Sequence, residues 1–303
     1  MKTLTVYTPT FNRAYCLGQL YDSLVAQRNN DFKWLIIDDG SSDNTKTLVD
    51  SWIAEGKVEI EYYYKPNGGM HTAHNAAYER LNTELNMCID SDDMVSADAI
   101  DKILDFWSSH RADGIGGIYA LDEDKHGKII GQPFPDDLKS FQGWGCKVII
   151  DDNGKVIPVC GDKKFISVTK ILKKYPPIPV FEGEKYYSLY YKQHFIERDF
   201  RILILNESVC IVEYMPDGSS VQMYRQYVRN PKGFKHLREL MMDMAPVFKI
   251  RFTQAIHYIN ACLILGQWNF FKGRRNWLMV LAAIPFGIAL HLLTIYKNRK
   301  MVS

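Results

Sequence analysis

The sequence predicts an α/β protein, a Rossmann-like, mostly parallel sheet flanked by helices, followed by a helical appendage. Three observations carry this. In the first third of the chain, four β-rich apolar runs alternate with amphipathic helical patterns, the order of βαβ units. A polar cluster closes each run, at residues 8–13, 38–42, 65–71 and 90–93. After Asn230-Pro231 the character changes to long helical patterns rich in Leu, Met, Phe and Ile. Strands joined by helical crossovers pair in parallel and are covered on both faces. In such sheets ligands bind beyond the carboxyl ends of the strands, where all four clusters fall. The expected domains are residues 1–230, divisible near residue 120, and a helical region over 231–303.

Residues 4–8 form the first strand, ending at Pro9, and residues 14–27 carry Leu17, Leu20, Tyr21, Leu24 and Val25 at helical spacing. Residues 34–37 are a second strand. It ends in a turn from Asp38 to Asp43 that also caps a helix over 47–54. A third strand, 58–65, leads through Asn67-Gly68-Gly69 into a helix over 70–81, and a fourth, 87–89, precedes a helix over 96–107. Regularity then drops across residues 122–164, rich in Gly, Pro, Asp and Lys, with strands expected at 148–150 and 157–159. Trp144, between Gly143 and Gly145, reads either as a stacking platform or as a pin for its loop. A helix is expected over 167–174, an extended segment through Pro176, Pro177 and Pro179, and a strand over 206–213.

Composition narrows the function. With 37 Lys and Arg against 35 Asp and Glu, the chain lacks the basic excess of a nucleic-acid binder, and no nucleic-acid partner is expected. Six scattered cysteines without a C-x-x-C pair read as reduced thiols of a cytoplasmic protein. The N-terminus enters a strand pattern directly, so no signal peptide is expected.

The densest chemistry lies at Asp90-Ser91-Asp92-Asp93. Carboxylates that close repel one another, and a hard divalent cation is the simplest partner that holds them together. Mg²⁺ or Mn²⁺ in such a place bridges to phosphate oxygens, which makes a diphosphate the first candidate ligand. The alternative is a solvated loop with a cap for the next helix. His71 and His74 lack a further ligand at zinc spacing and read as packing or capping histidines.

Four motifs, Thr8-Pro9-Thr10-Phe11-Asn12-Arg13, Ile37-Asp38-Asp39-Gly40-Ser41-Ser42-Asp43, Asn67-Gly68-Gly69 leading to Ala73-His74-Asn75, and Asp90-Ser91-Asp92-Asp93, stand in this order. Together they resemble family 2 glycosyltransferases of the GT-A fold, of the kind acting in bacterial capsular or exopolysaccharide synthesis. The resemblance is close over residues 1–120 and looser to about 230, which it divides into a nucleotide-sugar half and an acceptor half. It implies nucleotide contacts from Thr8, Pro9, Asn12, Arg13, Asp39, Asn67, Gly68, Asp90 and Ser91. Thr8 and Pro9 would line the nucleoside, and Asp39 would accept the imide N–H of a uracil. Arg13 would reach a phosphate or only begin its helix. The Gly68-Gly69 turn would present N–H groups to an anion or be an ordinary turn. Asp90 and Asp92 match the D-x-D that holds Mg²⁺ or Mn²⁺ against the diphosphate, where the metal neutralises charge on the leaving phosphate. Asp93 is left for a water-mediated ligand or a sugar contact.

An inverting transferase also needs a base for the acceptor hydroxyl. The resemblance implies Glu184, with Glu182 in reserve, in Phe181-Glu182-Gly183-Glu184-Lys185-Tyr186 before a tyrosine-rich helix. Lys185 replaces the family's usual second acid, and acids at a helix N-terminus are also what the helix dipole favours. The resemblance thus implies transfer from a nucleotide-diphosphate donor, a UDP-sugar, to a cell-surface polysaccharide or lipid-linked glycan acceptor, with a turn over 215–220 at Asp217-Gly218 bordering the acceptor. The rival reading is a non-catalytic GT-A-fold scaffold subunit of a polysaccharide assembly complex.

Helical patterns follow over 234–244 and 246–265, and residues 276–296 contain no Asp, Glu, Lys or Arg. Such a segment is long enough to cross a bilayer, but Pro285, Gly287 and His291 weaken a spanning reading. Lys272, Arg274 and Arg275 before it and Lys297, Arg299 and Lys300 after it give no orientation. The expectation is a segment that lies on, or enters and leaves by, one membrane face. That places the protein in the cytoplasm, peripheral at the inner face of the cell membrane; a core or oligomer helix is the alternative.

Overall fold

The computed structural model describes residues 2–144, 148–150, 156–159, 161–213, 223–271 and 276–300. The chain forms two compact units, one of residues 1–178 and 189–215, the other of residues 179–188 and 216–303. The boundary read at residue 230 falls within the span of the second unit.

In the first unit, β1 (Leu4–Thr10), α1 (Leu17–Val25), β2 (Phe32–Asp38), α2 (Thr45–Glu55), β3 (Ile60–Tyr64), α3 (Met70–Arg80) and β4 (Leu85–Cys88) follow the expected alternation. β1 pairs in parallel with β2 on one side and β4 on the other, and β2 with β3. Every residue of β1 and β2 is buried, which is why both read as continuous apolar runs. Helices cover the sheet through aromatic packing: Tyr21 of α1 stacks on Trp52 of α2 at 4.4 Å, and both lie against Trp34 of β2.

Beyond β4 come β5 (Met94–Val95), α4 (Ala99–His110), β6 (Ile115–Glu123), β7 (Ser140–Trp144), β8 (Val148–Ile150), β9 (Val156–Pro158), β10 (Lys163–Val168), α5 (Thr169–Leu172), α6 (Tyr191–Asp199) and β11 (Arg201–Ile211). Among the described residues the sheet order is β3-β2-β1-β4-β10-β6-β11-β7-β8-β9, with β5 paired to β11. The sheet is mixed. β10 enters antiparallel between β4 and β6, while β11 runs parallel to β6.

β6 and β10 were not foreseen. Gly116 and Gly117 both lie in β6, where a Cβ on Gly117 would sit 2.4 Å from the Ile166 carbonyl of β10. The helix expected over 167–174 begins as strand: Ser167 and Val168 close β10, and only Thr169–Leu172 is helical.

The second unit contains α7 (Met223–Arg229), α8 (Pro231–Met244), α9 (Phe248–Ile264) and α10 (Trp277–Lys300). Pro231 starts α8, where its missing N–H leaves no bond unmade. A core around Met242, Ala255, Tyr258, Ile259, Cys262, Val280 and Ala283 joins α8, α9 and α10. Among the described residues, α10 is the one helix long and apolar enough to cross a membrane, by length and composition. The Asp217-Gly218 turn, Cys146, Cys160, Lys272, Arg274 and Arg275 lie outside the described residues, as does the Trp144 side chain.

Candidate functional site

The parallel register lines up the loops. Thr10 of β1 faces Asp38 of β2, Asp38 faces Tyr64 of β3, and Tyr7 of β1 faces Cys88 of β4. Backbone bonds continue the alignment past the strands, from Asp39 N–H to the Thr10 carbonyl (2.8 Å), Lys65 N–H to the Asp38 carbonyl (2.9 Å) and Ile89 N–H to the Tyr7 carbonyl (3.1 Å). The four polar clusters therefore leave one edge of the sheet side by side.

Asp38 and Asp39 diverge in environment although they are adjacent. Asp38 is locked by the Tyr62 hydroxyl (2.6 Å) and the Ser41 N–H (2.7 Å). Asp39 points instead into the turn before α3, where its carboxylate accepts Gly68 N–H (3.0 Å), Gly69 N–H (2.8 Å), the Asn67 amide (3.2 Å) and the Lys65 ammonium. The anion held by the glycine N–H groups at this helix N-terminus is thus Asp39 itself. Contact between these loops requires glycine at residue 40, whose φ is 88° and whose Cβ would lie 2.7 Å from Asn67 N.

Thr8 is fully buried and its hydroxyl accepts the Trp34 indole N–H at 2.9 Å, so its side chain serves the core. Pro9 is buried beside it. Asn12 adopts φ 53°, the sole positive φ of a non-glycine residue among those described, a conformation asparagine tolerates. It is fixed between Ser41 Oγ, which accepts its N–H, and Ser42 N–H, which its side-chain oxygen accepts, both at 2.8 Å. The Arg13 guanidinium meets the Tyr15 hydroxyl.

Burial separates the three acids after β4. Asp90 is exposed, Asp92 half-buried and Asp93 buried, with Ser91 buried between them. Asp93 turns inward, accepting Glu213 N–H at 3.2 Å with the Cys210 thiol 3.8 Å away. Lys164 of β10 stands 3.9 Å from Asp93 and 3.9 Å from Asp122 of β6. Burial pushes the Asp93 carboxyl up to about 7 against the pull of Lys164. Burial also opposes the charge on Lys164, but Asp122, Cys210, Asp93 and Asp90 together hold its pKa well above the ordinary value. Asp93 therefore belongs to an internal charge cluster. Lys164 and Asp122 escaped sequence reading because they join the acids only through the β10 insertion; the signal was a Lys-Lys pair opening the apolar run 165–168.

Asp90 and Asp92 remain as oxygen donors on an accessible turn. Among the described residues no three His, Cys, Asp or Glu side chains gather into a metal cage. Two carboxylates that leave positions for water and phosphate oxygens are the donor set that suits Mg²⁺ or Mn²⁺, so these residues fit the metal. Behind them, His74 of α3 is buried among Tyr7 (3.3 Å), Tyr78 (3.1 Å) and the Cys88 thiol (3.9 Å), and desolvation lowers its pKa to about 4. His71 is buried as well, and both are packing residues.

In the second unit, Glu184 is buried and both its oxygens accept backbone N–H groups of the first turn of α8, Lys232 and Gly233, each at 2.7 Å. Asn230 adds a bond from Lys185 N–H at 2.9 Å. Glu182 is exposed and contributes its carbonyl to the Lys232 ammonium at 3.1 Å.

This architecture is that of the GT-A glycosyltransferases. It aligns with Staphylococcus aureus TarS in complex with UDP-GlcNAc over 95 % of this chain and 81 % of that one (TM-score 0.59, 17 % identity). It aligns with the mannosyltransferase PcManGT from Pyrobaculum calidifontis, in complex with GDP-Man and Mn²⁺, over 95 % and 86 % (TM-score 0.56, 13 % identity). At these identities the likeness is one of fold. Residues 5–153 match the family model for glycosyl transferase family 2, and this part of the chain belongs to that family. A curated relative, poly(ribitol-phosphate) beta-N-acetylglucosaminyltransferase TarP of S. aureus strain N315, is 28 % identical over 124 residues, 40 % of this chain. The match spans 38 % of the length of TarP.

Removing the buried cation by Lys164→Met is expected to destabilise the fold by about 3–5 kcal/mol in urea unfolding, since Asp93 and Asp122 would face each other uncompensated. His74 supplies a pH signature. Its folded pKa lies below the value near 6.5 of an unfolded chain, so its contribution is full above pH 6.5 and is lost as pH falls towards 4. The loss is expected to reach about 3 kcal/mol, and His74→Phe should flatten that part of the stability profile.

Proposed function

We propose that this chain is an inverting glycosyltransferase that moves a sugar from a UDP-sugar to a cell-surface polysaccharide or lipid-linked glycan acceptor at the inner face of the membrane. The observation that carries the reading is the alignment of Asp39 with Asp90 and Asp92 at one edge of a GT-A sheet. Support comes from relatives: TarS holds UDP-GlcNAc, PcManGT holds GDP-Man with Mn²⁺, and TarP is named as an N-acetylglucosaminyltransferase.

In this reading Asp39 takes the uracil imide N–H in exchange for one of the four donors that its two oxygens now accept, from Lys65, Asn67, Gly68 and Gly69. Thr8 and Pro9 border the nucleoside through the backbone. Asn12, Arg13, Asn67, Gly68 and Ser91 line the ribose and phosphates. Asp90 and Asp92 hold Mg²⁺ or Mn²⁺, which when bound neutralises the charge building on the departing diphosphate. A glutamate removes the acceptor hydroxyl proton as that oxygen attacks the anomeric carbon from the face opposite the leaving group, which inverts its configuration. The bonds from Lys232 and Gly233 to Glu184 support giving that task to the exposed Glu182 ahead of Glu184, with Glu184 fixing the loop. A non-catalytic scaffold is the second reading, favoured by Lys185 in place of an acid. Metal-dependent UDP-sugar turnover lost in Asp92→Ala would exclude it.

UDP with Mn²⁺ is expected to raise the melting temperature, by the equivalent of about 3 kcal/mol at a hundredfold excess over Kd. UDP alone should do far less, and Asp92→Ala should remove the metal dependence. A shift with NAD or ATP and none with UDP or another nucleoside diphosphate overturns the proposal. Glu182→Gln is expected to slow transfer about 10²–10⁴-fold at unchanged stability and UDP binding. Glu184→Gln should lower stability by about 1–3 kcal/mol, because it replaces one acceptor with a donor facing a backbone N–H.

A further inference from the structure

Charge is distributed unevenly along this chain. Residues 231–303 contain 11 Lys and Arg against 2 Asp and Glu, a net charge of +9, whereas residues 1–230 contain 26 against 33, a net of −7. In the same C-terminal region α10 presents its faces in the reverse of the soluble order. Its buried stripe is small, made of Val280, Ala283, Gly287 and Thr294. Gly287 lies so close to α9 that a Cβ there would come within 2.6 Å of Ile259. Met279 and Ile284 pack in part against the core, but a further set of large apolar side chains faces outward: Leu278 is 64 % exposed, Leu281 49 %, Ile288 40 % and Leu292 65 %. A surface helix in water turns its large apolar side inward, and a stripe of this size marks an interaction surface.

The packing with α9 decides how such a surface meets lipid. Phe286 at the centre of α10 touches Phe252 of α9, and Gly287 meets Ile259, so the two helices lie side by side along their middles. α9 carries Lys249, Arg251 and a buried Gln254 in its first two turns. An upright α10 would draw these groups into hydrocarbon, whereas an α10 lying flat keeps α9 on the water side. A second copy of the chain would set one strongly basic surface against another. Anionic lipid neutralises that charge.

We propose that residues 231–303 are a docking module for an anionic bilayer, with α10 lying in the plane of the interface, its large apolar face among the acyl chains, and not spanning. Trp277 and Tyr296, both about half exposed, bracket the embedded stripe at headgroup level. The inference deepens the membrane part of the function proposed above and does not depend on the transferase part.

The test uses the full-length protein, sealed vesicles of phosphatidylcholine with or without phosphatidylglycerol, and an impermeant reagent directed at a C-terminal tag. Expected are sedimentation with the anionic vesicles, about tenfold weaker binding to neutral ones or at high salt, and a tag that stays reactive from outside. Leu281→Glu with Leu292→Glu, both exposed positions, should abolish binding while leaving the thermal shift with UDP and Mn²⁺ unchanged. Equal binding to neutral vesicles, undiminished binding of the double variant, a tag protected by the bilayer, or a dimer dispersed by the double variant would each overturn the inference. Failure of the UDP shift with vesicle binding intact would sink the transferase reading alone.

Discussion

The parallel pairing of β1 with β2 and β4 is the constraint on which the candidate site depends. Parallel strands point their carboxyl ends the same way, and the register sets the end of β2 opposite the end of β1 and the end of β4 three residues short of it. Loops with no sequence proximity, at Asn12, Asp39, Asn67 and Asp90, are thereby brought together by backbone hydrogen bonds before any side chain contributes. The cost is electrostatic, since the same edge collects a series of acids.

Relief comes from two lysines. Lys65 and the N–H groups of the α3 turn neutralise Asp39 locally, through residues near in sequence to that helix. Lys164 arrives from far along the chain on an antiparallel strand and takes Asp93 and Asp122 together. Asp90 is exposed and Asp92 half-buried, which makes them the more accessible acids of that group. The division of labour among three neighbouring carboxylates is thus set by burial, not by identity.

The second unit obeys different rules. Its helices join through a small apolar core, Glu184 closes the first turn of α8, and α10 shows its larger apolar side to the outside. That outward apolar side and the net charge of +9 over residues 231–303 are the basis of the bilayer docking proposed above.

Strands β1 to β4, their helices and the clusters at residues 8–13, 38–43, 67–69 and 90–93 were legible because each rests on local patterning: continuous apolar runs for buried strands, turn residues at their ends, and helical spacing between. The length and apolarity of α10 were legible for the same reason. Strand β10, its place between β4 and β6, the internal role of Asp93 and the engagement of Glu184 by α8 were decided only by the tertiary structure. Each depends on a partner about 50 residues or more away, and a residue type alone does not reveal whether a carboxylate will meet solvent, a lysine or a helix N-terminus. The sequence by itself determined the family, the parallel half of the sheet and the candidate ligand edge. Which acids there turn inward and which lie nearer solvent was decided by burial and long-range charge, which no local pattern encodes.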